Sequence, residues 1–299
     1  MRNYLFGLLV FFMHAPAQAA LNVFACEPEW AALAQELGGE QVRVYSATTG
    51  MQDVHHIEAR PSLIAKARSA DLLVCTGGEL ETGWLPQVLR QAANPKILPG
   101  RPGYFEAVSA VVRLEAPKQL DRADGDVHAG GNPHIQTDPR NIKRVADALF
   151  MRLNQLDPSA APQYEARYKA FTERWQKAIA KWETQAVRLK GVPVIVHHKH
   201  FSYLIQWLGM REVGMLEPKP GLEPTPAHLS ALLEGLKRQP AKLVLRTTFQ
   251  DDHAAHWLAE RAKIPVVPLP ATVGGSEQAR DLTSFFDDLI RRLTSEIPG

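Results

Sequence analysis

Between Pro162 and Gly191 no glycine or proline interrupts the chain, and its large apolar residues keep to one stripe. Tyr164, Tyr168, Phe171, Trp175, Ile179, Trp182 and Ala186 step by 4, 3, 4, 4, 3 and 4, the period of a single helix face. The segment from Asp157-Pro158 to about Leu189 therefore predicts one helix, a rod of roughly 40 Å at about 1.5 Å per residue. At mid-chain such a rod suits a spine between two bodies better than a coiled-coil arm.

Both flanks of the spine alternate strand and helix signals. Before it come a strand at Leu21 to Ala25, a helix at Glu29 to Leu37 stopped by Gly38-Gly39, and a strand at Gln41 to Tyr45. A helix at Pro61 to Ala70, a strand at Asp71 to Cys75 and a helix at Trp84 to Ala92 follow. Residues 115–133 break the pattern as a long loop. Asp138 then caps a helix that has Pro139 in its first turn and runs to Leu153. After the spine, strands are expected at Val192 to Val196, Leu243 to Leu245 and Val266 to Leu269, and helices at Tyr203 to Leu208, from Ala227, at His253 to Ala262 and at Asp281 to Leu293. Alternation of this kind argues for βα units around parallel sheets. The fold class expected is α/β, with two Rossmann-like lobes at 20–156 and 191–299 joined by a linking helix at 157–190.

The N-terminus reads as an export signal over residues 1–19. Arg2 supplies the positive start, Tyr4 to Met13 the apolar run, and Ala17-Gln18-Ala19 the cleavage site. The run is shorter than the roughly 20 residues a membrane-spanning helix needs, so no membrane insertion is expected. A lipid anchor on Cys26 is disfavoured, because Val23-Phe24-Ala25 precedes it where small residues are wanted. Cys26 and Cys75 each close a short apolar strand; in an oxidising compartment they are either a disulfide or two buried thiols. With a formal charge of only +2 and no Lys/Arg run, nucleic acid is not an expected partner.

Three histidines stand in short punctuated motifs in separate segments: His55 before Arg60-Pro61-Ser62, His134 in Asn132-Pro133-His134, and His198 before Phe201 and Tyr203. Each alone reads as readily as a surface or strand-end residue. Together, three imidazoles can form most of a tetrahedral zinc shell. All three are expected after strands, at the carboxyl edge where open α/β sheets bind ligands.

These motifs, with Gly38-Gly39, Ala70-Asp71-Leu72, Gly77-Gly78-x-Leu80-Glu81 and Leu208-Gly209, give the chain a resemblance over about residues 20 to 293. It resembles the metal-binding (cluster A-I) substrate-binding proteins of ABC importers, the periplasmic zinc- and manganese-uptake family. The resemblance implies two lobes on a rigid helix with a metal site in the cleft between them. It carries ligand roles onto His55 and His134 from the first lobe and His198 from the second. Histidine at the third position favours Zn²⁺ over Mn²⁺, consistent with zinc's preference for nitrogen.

In one place the sequence departs from the family. Where a ligating Asp often follows the strand, this chain has Pro270, and Ala271 to Gly275 bring no carboxylate. Water, His128 or Glu217 are the candidates for the fourth position, or a loop that moves. His56, His197, His200 and His128 are read as auxiliary, with His128 a candidate for recruiting metal, and Glu58 and Asp138 as carboxylates orienting the ligand rings. The function so implied is periplasmic capture of Zn²⁺ by a monomer that delivers it to an inner-membrane ABC permease. Two rivals remain. A three-histidine zinc with an open position also suits a hydrolase, although H-E-x-x-H and G-x-S-x-G are missing. The same scaffold could also bind a chelate such as a siderophore.

Overall fold

A computed structural model describes residues 20–117 and 128–297. The expected export signal at residues 1–19 and the middle of the 115–133 segment lie outside the described residues. Two four-stranded sheets, parallel throughout, form the molecule. The first contains β1 (Leu21–Ala25), β2 (Val42–Ser46), β3 (Leu72–Cys75) and β4 (Tyr104–Glu106), in the order β2-β1-β3-β4. The second repeats that order with β5 (Pro193–Val196), β6 (Arg211–Met215), β7 (Leu243–Thr247) and β8 (Val266–Leu269), arranged β6-β5-β7-β8.

Helices follow the strands: α1 (Pro28–Gly38), α2 (Pro61–Arg68), α3 (Leu85–Ala92) and α4 (Pro139–Leu156) on the first sheet, α5 (Ala161–Gln185) between the sheets, and α6 (Ser202–Leu208), α7 (Pro226–Leu236), α8 (His253–Ala262) and α9 (Leu282–Ser295) on the second. Local chemistry fixes several of their starts. Asp138 accepts from the Arg140 amide at 2.8 Å to cap α4, and Asp281 and Ser284 form a capping box on α9.

Each sheet is covered on both faces, which is why its inner strands β1, β3, β5 and β7 are largely apolar runs. Val23, Ala25, Leu72 and Val74 face inward with Val194, Val196, Leu243 and Leu245, and one core cluster runs through both sheets, α1, α4, α5, α6 and α9. Phe24, Leu73 and Cys75 face outward beneath α2 and α3, and Ile195 and Val244 beneath α7 and α8.

The spine is shorter than its stripe. Only Ala161–Gln185 is α-helical, roughly 37 Å at about 1.5 Å per residue, and 3-10 turns at Pro158–Ala160 and Val187–Leu189 take up its ends. The stripe is the buried face, with Tyr164, Phe171, Trp175, Trp182 and Ala186 all in the shared core. Trp175 donates from its indole to the carbonyl of Pro139 at 2.8 Å, and Trp182 to Asp287 at 2.7 Å, so the rod is pinned to a helix on each side.

Two strands went unread in the sequence, β4 and β6. Both are edge strands. One has three residues, and the other is half-exposed with Gly214 beneath Leu232 of α7, so neither carries an apolar run. Cys26 and Cys75 form a disulfide, with Cα atoms 4.7 Å apart. It staples the carboxyl ends of β1 and β3, the neighbouring strands where the first sheet's order reverses.

Candidate metal centre

His198 follows β5 by two residues, at the carboxyl end of the strand where the second sheet's order reverses, which is the usual ligand crevice of open α/β sheets. His55 sits in the loop after β2, which Trp84 anchors by donating its indole N–H to the Val54 carbonyl at 3.0 Å. His134 departs from expectation: it does not follow a strand but leads a 3-10 turn into α4. That turn is held from both sides. The Asn132 side chain accepts from the His134 amide at 2.9 Å and donates to the Lys199 carbonyl at 2.9 Å. The Tyr203 hydroxyl donates to the Asn132 carbonyl at 2.7 Å. The Asn-Pro-His and His-x-x-Phe-x-Tyr motifs therefore interlock, fixing His134 against His198.

The three imidazoles converge: one ligand nitrogen from each of His55, His134 and His198 lies within 4.8 Å of the others. Their ring centroids make a near-equilateral triangle with sides of 5.3, 5.5 and 5.8 Å. His134 and His198 are buried, at 2 % and 6 % exposure. Nε2 of His55 and of His134 are buried without a hydrogen-bond partner among the described residues. Orphaned polar atoms of this kind are costly unless a ligand takes them up.

Two carboxylates set the tautomers. Asp53 takes the Nδ1–H of His55 at 2.7 Å, and Glu217 takes that of His198 at 2.7 Å, leaving Nε2 of each ring as the lone-pair donor. Burial opposes ionisation of Asp53, but the hydrogen bonds and charge of His55 win and hold its carboxyl well below the usual range. Burial pushes His134 well below an ordinary histidine, with the neighbouring imidazoles adding to it, so the ring is neutral and able to ligate.

The orienting carboxylates differ from those expected. Glu58 is exposed, and Asp138 caps α4 and pairs with Arg140, so neither serves a ligand ring. Glu217, a candidate fourth ligand, instead orients His198. Asp53 was missed, although an Asp two residues before a His is a local signal; Asp251 and His253 make the same turn on the surface. Pro270 stands after β8 as the sequence requires, and Ala271 offers only its carbonyl, to Gln136 at 3.1 Å. His56 is exposed, whereas His197 and His200 are buried. His128 stacks on His55 with centroids 5.8 Å apart.

Two other groups of ligand-type residues occur among the described residues. Cys26, Cys75 and Glu81 are disqualified by the disulfide, and Asp251, Asp252 and His253 lie at the surface. Of the three groups, the histidine trio is thus the one that offers three imidazole nitrogens, two of them on buried rings.

Two βα sheets on a linking helix, with ligand-type side chains from both converging between them, define a substrate-binding protein of the cluster A-I type. The sequence matches the family described as "ZnuA: Zinc-uptake complex component A periplasmic" over residues 23–296, and the chain belongs to that family. It is the metal-binding component of an ABC transporter, a binding protein rather than an enzyme. Among curated relatives, the manganese ABC transporter substrate-binding lipoprotein PsaA of Streptococcus pneumoniae is 23% identical over 292 residues, covering 94% of this chain and 90% of its own. The metal ABC transporter substrate-binding lipoprotein FimA of Streptococcus parasanguinis is 25% identical over 275 residues, covering 88% and 84%. A crystal structure of ZnuA superposes with a TM-score of 0.77 at 22% identity, covering 93% of this chain and all of that one. A periplasmic metal-binding protein from Candidatus Liberibacter asiaticus gives 0.75 at 15% identity, covering 93% and 100%. No described helix is long and apolar enough to cross a membrane.

Proposed function

We propose that this chain is a periplasmic zinc-capture protein that binds one Zn²⁺ through His55, His134 and His198 and hands it, as a monomer freed of its residue 1–19 signal, to an ABC permease. The observation that carries this reading is the convergence of three imidazoles, two of them buried and two of them oriented by carboxylates. Nitrogen donors suit borderline-soft Zn²⁺, whereas Mn²⁺ sites are richer in oxygen. The relatives named for manganese make metal identity the point to test, and the donor chemistry favours zinc. A bulky chelate bound in place of a bare ion would leave these inward nitrogens without partners.

The test is competition titration against a chromogenic chelator with Zn²⁺ and Mn²⁺ in parallel, on the native chain and on His198→Ala. Zinc is expected to bind at one per chain and far more tightly than manganese. His198→Ala should weaken zinc by well over the roughly 10–100-fold that loss of an outer-sphere partner causes, with an unchanged circular dichroism spectrum. Manganese binding as tightly as zinc would reject the zinc reading, and unaltered affinity in His198→Ala would remove that residue from the site.

A further inference from the structure

His200 is the histidine that the motifs do not account for. It is 4 % exposed, deeper than His198, and its Nδ1 is buried without a hydrogen-bond partner among the described residues. Its ring centroid lies 4.3 Å from that of His134, 4.5 Å from His198 and 6.2 Å from His55. A ring in the plane of the triangle, so near the first two, would either overlap His55 or lie much farther from it. His200 therefore stands over one face of the triangle, above the His134–His198 edge. A tetrahedral ion held by the other three has its remaining position off one face of the ligand triangle.

We propose that His200 is the fourth ligand of the bound dication, a nitrogen in the place where the chain has Pro270 and no carboxylate. This assignment rests on the metal-capture reading above. The ligand atoms of His200 stand outside the 4.8 Å set formed by the other three, so its ring moves in as the ion binds. A half-turn about the Cβ–Cγ bond exchanges Nδ1 for Cδ2, so the ring can present a nitrogen to the ion as it moves in.

Charge supports a neutral fourth donor. Asp53 and Glu217, each 2.7 Å from a ligand ring, already match the two positive charges of the ion. A ligating carboxylate in addition would leave an excess of negative charge beside two buried rings, His134 and His198. Glu217 is engaged elsewhere, holding His198 and the Gly221 amide at 2.8 Å. Four imidazoles close the shell, leaving no position for an activated water and a donor set ill-suited to Mn²⁺.

The experiment is zinc K-edge X-ray absorption on the full chain loaded with one equivalent of Zn²⁺, counting imidazoles by their multiple scattering. Four are expected in the native chain, and three plus one oxygen in His200→Ala. That variant should also bind zinc at least about tenfold more weakly and discriminate less against Mn²⁺. Three imidazoles and an oxygen in the native chain would overturn the role of His200 while leaving the trio intact. Four imidazoles persisting in His200→Ala would overturn it as well, by assigning the fourth to another histidine. Fewer than three in the native chain would instead overturn the metal-capture reading itself. The native spectrum decides the matter even if the variant folds poorly.

Discussion

Glu217 joins His198 to the turn that follows β6. One oxygen of its buried carboxylate takes both the His198 ring N–H at 2.7 Å and the Gly221 amide at 2.8 Å. A carboxylate so placed fixes the tautomer and raises the basicity of the ligating nitrogen. Glu217→Gln keeps the shape and loses the charge, so zinc affinity should fall by about 10–100-fold while stoichiometry stays at one; chelator competition reads both. Loss of stoichiometry as well would make Glu217 a ligand instead. At this scale the sequence was informative about which histidines meet, because their motifs are punctuated by proline and aromatic residues. It was silent on which carboxylates face them. Asp53 and Glu217 reach their rings across loop turns whose shape no periodicity encodes, and Glu58, chosen by proximity along the chain, points to solvent.

Among the elements, the spine and the alternating strands were legible because each is an amphipathic or fully buried pattern of more than a few residues. The edge strands β4 and β6 were not, since a short, half-exposed strand is defined by its neighbour's hydrogen bonds rather than its own side chains. One loop contact was equally hidden. A Cβ added at Gly50, after β2, would stand 2.3 Å from the backbone of Gly274 and Gly275, after β8. The two lobes thus touch backbone to backbone at these loops, and only glycine permits it. Gly50→Val should wedge that contact apart, lowering both the melting temperature and zinc affinity. Gly235→Ala, inside α7, whose added Cβ meets nothing within 4 Å, is the control and should leave zinc affinity unchanged without lowering the melting temperature. If Gly50→Val behaved like the control, the lobes would have slack at this contact and affinity would not depend on it.

At the scale of the whole molecule, one core passes through both lobes and the spine, and several histidines are buried with it. Burial depresses His134 and His200 and, despite Glu217, His197. A histidine whose folded value lies below its unfolded one contributes stability that is present at neutral pH and is lost as pH falls through the unfolded value of about 6.5. Protons and metal compete for the same nitrogens, so zinc affinity should decline in the same direction. Titrations at several pH values should show affinity holding at neutral pH and falling as pH drops below about 6.5; a flat profile down to about pH 5 would rule out ligation dominated by histidine.

The most direct measurement is metal content of the purified, signal-free chain by plasma mass spectrometry, before and after chelation and reloading, beside the variant with His55, His134 and His198 all changed to alanine. Close to one zinc per native chain, and none retained or regained by the folded triple variant, is the expected result. A native chain that takes up no zinc at micromolar concentration, or a triple variant that still holds a full equivalent, would contradict capture at this histidine triangle.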